Sequence, residues 1–124
     1  MNQRSALIIA GVLGMLAVIL GAFGAHALKA TLEEHGSVAI YEMASRYQYF
    51  HTLAIFGTGI LMGQFASKWL QYAVLFFVLG IVFFCGSLYG LSFSRLSFLG
   101  PITPLGGVML ILGWFFLILG VAKK

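Results

Sequence analysis

The chain has 124 residues, of which 61% are hydrophobic and 8% charged, with a net charge of +4. Seven Lys/Arg and three Glu cannot cover the surface of a small globule, so a soluble domain is excluded. A mean hydropathy of +1.05 also excludes a disordered chain, which would be polar, and leaves an integral membrane protein.

A membrane-spanning helix needs about 20 mostly apolar residues. The first such stretch is Ala6 to Leu28, preceded by Arg4. With Ala25-His26-Ala27 behind it, this stretch has the outline of a signal peptide. It is longer than the apolar core of one, and it is expected to stay as the first span. The only long connection follows, from Lys29 to Arg46, and contains all three acids, Glu33, Glu34 and Glu42. It is expected to consist of helical extensions of spans one and two, lying on or above the bilayer surface. Gly36 can end one helix, Ser37 can cap the next, and Glu42 is spaced for an i,i+4 ion pair with Arg46.

The second span is expected at Tyr47 to Ala66 and the third at Tyr72 to Phe93, joined by a short turn through Ser67 and Lys68. The stretch from Ser94 to Thr103 contains Arg95, Gly100 and Pro101. After it, Thr103 reads as an N-cap and Pro104 as the first helical residue of a fourth span, Leu105 to Ala122. The expected fold is therefore all-α: one transmembrane domain over residues 1–124, built as a four-helix bundle. Four spans put both termini on one side. Arg4, Lys68, Lys123 and Lys124 would lie there, against Lys29, Arg46 and Arg95 on the other, which favours cytoplasmic termini. Cations placed singly at segment ends are interfacial anchors, not a nucleic-acid patch.

Lipid tails are as apolar as Leu, so helices in lipid associate largely through close approach at small residues. Gly106, Gly113 and Gly120 are seven apart in span four, and Ala73, Gly80 and Ser87 are seven apart in span three. Span one carries Ala6, Ala10 and Gly14, then Ala17, Gly21 and Ala25, at four-residue steps. These residues are expected at helix contacts, and the sevenfold spacing predicts left-handed packing. Cys85, the single cysteine, reads as a small buried packing residue.

The spans contain no Asp, Glu, Lys or Arg, which counts against a proton-coupled pump and against the small multidrug exporters with a Glu in the first helix. The polar residues gather toward the face opposite the termini: His26, Arg46, Gln48, His51, Tyr89, Ser92 and Thr103. His26 and His51 are expected at similar depth. The readings left open are interfacial capping and helix–helix hydrogen bonding, a shallow site for a lipid headgroup or small polar ligand, bis-His haem ligation, and metal binding with a Met. Titration of the two imidazoles near neutral pH is a further expectation from position alone. No nucleophile–base pair or phosphate-binding glycine loop is visible.

Four motifs occur in order: Gly21-Ala22-Phe23-Gly24-Ala25-His26, Tyr47-Gln48-Tyr49-Phe50-His51-Thr52-Leu53-Ala54, Gly86-Ser87-Leu88-Tyr89 and Thr103-Pro104-Leu105-Gly106-Gly107. Together they resemble the YgdD-like family of small bacterial inner-membrane proteins, a domain of unknown function with a eukaryotic transmembrane relative. Cys85 departs from the Ser expected before Gly86. The resemblance implies a four-span protein in the bacterial inner membrane and assigns no activity. The expected role is non-enzymatic and cofactor-free: a structural or accessory component that contacts membrane lipid and forms a homo-oligomer or joins a larger complex. A transporter or ligand-binding protein, and a haem- or quinone-linked redox subunit, are the alternatives.

Overall fold

The structure is a computed structural model and describes residues 2–94 and 96–122. The anchor roles expected of Arg95, Lys123 and Lys124 fall outside these residues. Five helices make up the chain: α1 (Gln3–Ala25), α2 (Lys29–Glu34), α3 (Val38–Leu61), α4 (Lys68–Phe93) and α5 (Leu99–Ala122). There is no strand among the described residues.

Three of these helices, α1, α4 and α5, are long and apolar enough to cross a membrane, with mean hydropathies of 2.7, 2.4 and 2.4. At 1.5 Å per residue α1 is about 35 Å long, enough for a hydrocarbon core of about 30 Å. It starts on the side chain of Asn2, whose Oδ1 accepts from the Ser5 N–H at 2.8 Å, and it ends at His26. The helix α4 starts on Ser67, whose hydroxyl accepts from the Trp69 N–H at 3.2 Å. Its stretch Ile81–Cys85 is π-helical.

The stretch from 29 to 46 is helical, in two pieces divided at Gly36. Its latter half is the beginning of α3, which runs unbroken from Val38 through Arg46 to Leu61. Gly36 adopts φ +65°, the left-handed conformation that glycine allows, and separates α2 from α3. Ser37 stands at the start of α3 but does not cap it. Its hydroxyl donates instead to the Ser92 carbonyl at 2.7 Å, tying the start of α3 to the end of α4.

The start of the last helix also corrects the sequence reading. It begins at Leu99, so Thr103 is no N-cap and Pro104 lies inside the helix. Leu99 and Gly100 first close a turn on the carbonyls of Leu96 and Ser97. Pro101, in the first turn, forgoes only an N–H that has no helical partner there, whereas Pro104 removes the bond an N–H would make to the Gly100 carbonyl.

Helix α1 packs on α3, α3 on α4, and α4 on α5. The α3 helix is thus central, and its buried positions, Tyr41, Ala44, Ser45, Gln48, His51, Thr52, Ile55, Thr58 and Gly59, recur at three- and four-residue steps. Most of them are polar or small. Phe50 and Leu53, by contrast, are 61% and 66% exposed. From Tyr47 onward the helix is therefore polar inside and apolar outside, and with Glu42 and Arg46 on its exposed side its hydropathy alone does not mark it as a span.

The contact between α4 and α5 follows the sevenfold glycine spacing. A Cβ at Gly106 would lie 2.2 Å from the Phe84 nitrogen, one at Gly113 2.6 Å from Phe77, and one at Gly120 2.4 Å from Leu70. Gly80 receives Leu110 in the same antiparallel register. Gly106 meets backbone, and that backbone belongs to the π-helical stretch. On α1, Ala6, Ala10 and Ala17 are buried. Gly14 is looser than its neighbours, because a Cβ there would meet only the Thr52 methyl, at 3.6 Å.

Candidate functional site

The polar residues singled out in the sequence separate into a set of interhelical hydrogen bonds and a groove. Gln48, 2% exposed, is the hub of the first. Its Nε2 donates to the Leu13 carbonyl of α1 at 3.1 Å, and its Oε1 accepts from the Tyr89 hydroxyl of α4 at 2.7 Å. One amide therefore links three helices and uses both of its ends. Thr103 of α5 pairs with the Ser87 hydroxyl of α4. The Tyr41 hydroxyl donates to the Leu20 carbonyl of α1.

His51 is enclosed by aromatic rings. Tyr47 stacks on it at 5.9 Å, while Phe77 and Trp114 approach at 5.8 Å. The Trp114 Nε1–H can only donate, and it meets the His51 Nε2 at 3.1 Å. The Nε2 must therefore accept, and the Nδ1–H donates to the Tyr47 carbonyl at 2.8 Å. This geometry defines the neutral Nδ1–H tautomer, with both ring nitrogens occupied.

His26 is elsewhere. It is exposed at the C-terminal end of α1, where its backbone N–H closes the helix on Ala22 and Phe23. In the antiparallel pairing of α1 and α3, Thr52 faces Gly14. His26 is therefore about 18 Å farther along the helix axis than the level of His51, at 1.5 Å per residue. The two imidazoles are not at similar depth and cannot ligate one haem iron or one metal ion between them. Among the described residues no three His, Cys, Asp or Glu side chains gather as metal ligands.

Arg46 belongs to the groove. It lies on the exposed side of α3, away from Gln48, and lines a depression of about 640 Å³ between the end of α1, α2 and the first turns of α3. Gly21 and Gly24 form its floor together with Tyr41 and Tyr49. A Cβ at Gly21 would strike the Tyr49 hydroxyl, and one at Gly24 would strike the Tyr41 ring. The glycines, three apart on one face of α1, thus let two tyrosines lie flat across the helix. Lys29, Glu42, Leu32 and Val38 complete the walls. The expected Glu42–Arg46 ion pair is not formed among the described residues. Lys29 was read from the sequence only as an interfacial cation, and Tyr49 only as part of a motif. The glycine pair next to the first cation after the span was the signal that could have found them.

Of the seven polar residues, then, Gln48 and Tyr89 touch each other, and Ser92 donates to the Leu88 carbonyl of its own helix. His51 and Thr103 have partners on other helices, Arg46 lines the groove, and His26 stands apart.

The model of a protein family described as a protein of unknown function, DUF423, matches residues 20–107. The chain belongs to that family. All four motifs that suggested the resemblance lie within the matched residues. The UPF0382 inner membrane protein YgdD of Escherichia coli strain K12 is 40% identical over 125 residues, covering 99% of this chain and 93% of the relative. The UPF0382 membrane protein SAB0533 of Staphylococcus aureus strain bovine RF122 / ET3-1 is 40% identical over 114 residues, 88% of each chain. No solved structure matches. This DUF423 chain is accordingly an inner-membrane protein whose apolar helices face lipid.

Proposed function

We propose that the chain crosses the membrane four times, with α3 as the central span and both termini in the cytoplasm, and that it acts as a non-enzymatic structural or accessory component through its helix faces. The observation that carries this reading is the inverted polarity of α3. Its polar side chains point inward and bond to neighbouring helices, as at Gln48 and His51, while Phe50, Leu53, Phe56 and Ile60 face outward. A helix lying on the surface would bury its apolar side and expose its polar side. The sevenfold glycine register between α4 and α5 supports left-handed packing. Because its polar groups are engaged in holding helices together, the chain meets partners, a second copy included, through apolar outer faces.

Topology is tested by introducing single cysteines at Ala27 and Ser67 in a Cys85→Ser background and labelling intact cells with a membrane-impermeant maleimide. Four spans place Ala27 and Ser67 on opposite sides of the membrane. Labelling of both from one side removes α3 as a span. The role is tested with His51→Ala, which should alter assembly or abundance, whereas His26→Ala should not. Native mass spectrometry of the complex released from its own membranes reports subunit number.

A further inference from the structure

The groove at the end of α1 opens above the Gly21–Tyr49 and Gly24–Tyr41 contacts, which form its floor. Its position and lining define an occupant. α1 carries no charge between Arg4 and Lys29, so its C-terminal end marks the level where hydrocarbon gives way to headgroups. Lys29 enters the groove from α2 and Arg46 from α3, so two cations reach it from different helices. Glu42 is the one acid in the lining; Glu33 and Glu34, at the far end of α2, are not part of it. The lining therefore carries one net positive charge. Beside these groups lie Leu32 and Val38, an apolar wall in the same depression. Its volume, about 640 Å³, is that of a small-molecule site rather than a packing defect.

We propose that this groove binds an anionic glycerophospholipid of the surrounding bilayer. Lys29 and Arg46 hold the headgroup phosphate, the Tyr49 hydroxyl lies on its bilayer side, and the acyl chains run from the groove past Tyr49 toward the bilayer centre. A guanidinium presents a planar fork of N–H donors that fits phosphate oxygens, and an ammonium adds a point charge. An anionic lipid balances the net charge of the lining, while a zwitterionic one leaves it unbalanced. The glycines of the floor are covered by Tyr41 and Tyr49 and offer the headgroup no phosphate loop, since their N–H groups lie within the helix.

The inference rests on the reading that α1 crosses the membrane, and its test is separate from the topology test of α3. The full-length protein in mild detergent is titrated with palmitoyl-oleoyl phosphatidylglycerol or with the matching phosphatidylethanolamine, and bound lipid is read by native mass spectrometry. Phosphatidylglycerol should be retained preferentially. The double variant Lys29→Gln/Arg46→Gln should weaken it about thirtyfold, from roughly fivefold per interfacial cation. Lys68→Gln, at the opposite end of the helices, should leave binding unchanged. Ala25→Trp keeps both cations but fills the exposed mouth of the groove, and it should also abolish retention. Melting of each variant, followed at the buried Cys85 thiol, confirms folding. Equal retention of the two lipids overturns the proposal. So does retention undiminished in the double variant or in Ala25→Trp, or displacement of the lipid by inorganic phosphate at equal concentration.

Discussion

Gly106→Ala puts the contact between α4 and α5 to a direct test. The new methyl would lie 2.2 Å from the Phe84 nitrogen and 2.7 Å from the Phe83 carbonyl carbon. Ordinary contact begins at 3.4 Å, so the helices must part by about 1.2 Å at this point. The obstructing atoms are backbone, so no rotamer change relieves the clash. Overpacking of this kind costs about 1–3 kcal/mol, and the gain in helix propensity from Gly to Ala returns about 1 kcal/mol at most. A net loss of about 2 kcal/mol corresponds to a melting temperature lower by roughly 5–10 °C for a chain of this size.

Cys85 supplies the assay, since it is the single cysteine and is 1% exposed. A thiol-reactive dye gains fluorescence only as the helices separate. The control is Gly14→Ala, whose methyl meets Thr52 at an ordinary 3.6 Å. It should melt with the parent protein or up to about 1 kcal/mol above it. A Gly106→Ala protein that melts together with the Gly14→Ala protein would refute the close approach at the π-helical stretch.

The Gln48 hub predicts coupling. In a cycle of Gln48→Leu and Tyr89→Phe, the interaction energy should be about 0.6 kcal/mol, with 1.7 kcal/mol an upper bound for such bonds in membranes, and additive losses would remove the bond. The imidazole nitrogens of His51 should report the Nδ1–H tautomer by NMR, and Trp114→Phe should shift the Nε2 resonance alone; an Nε2–H tautomer contradicts the geometry. The Thr52 hydroxyl is buried without a partner. Thr52→Val should therefore be neutral or stabilising by about 1 kcal/mol, and a clear loss of melting temperature would reveal a partner for that hydroxyl.

The apolar helices were legible because lipid demands an unbroken hydrophobic run, and α1, α4 and α5 have one. The sevenfold glycines were legible for a related reason: only a missing side chain lets Gly106 reach backbone. The start of α3 after Gly36-Ser37 was legible, but Glu42 and Arg46, one and two turns inside the helix, gave the span an apparent start at Tyr47. The separation of His26 from His51 was not legible. Both lie near segment ends in sequence, but depth depends on how α1 and α3 register, and Gln48 on Leu13 sets that register. Thr103-Pro104 follows a local capping pattern that tertiary structure overrides, since the helix starts earlier and Thr103 is used by Ser87. Arg46 and Lys29 were both found as cations near one interface, but that they line one groove became visible only when α2 folded back beside α3.

The inward polarity of α3 bears on how the chain is made. In the four-span arrangement this segment emerges from the ribosome when only α1 precedes it, and its own hydropathy gives little drive to leave the translocon for lipid. Gln48 can find the Leu13 carbonyl at that moment, but Tyr89 and Trp114 have yet to be synthesised. The segment must then wait in a protein-lined or watery setting until α4 and α5 arrive. For this protein, integration into the bilayer and acquisition of tertiary structure become one event rather than successive stages. A truncation after Ser67 would therefore be handled by the cell as an insertion failure, not as a smaller bundle.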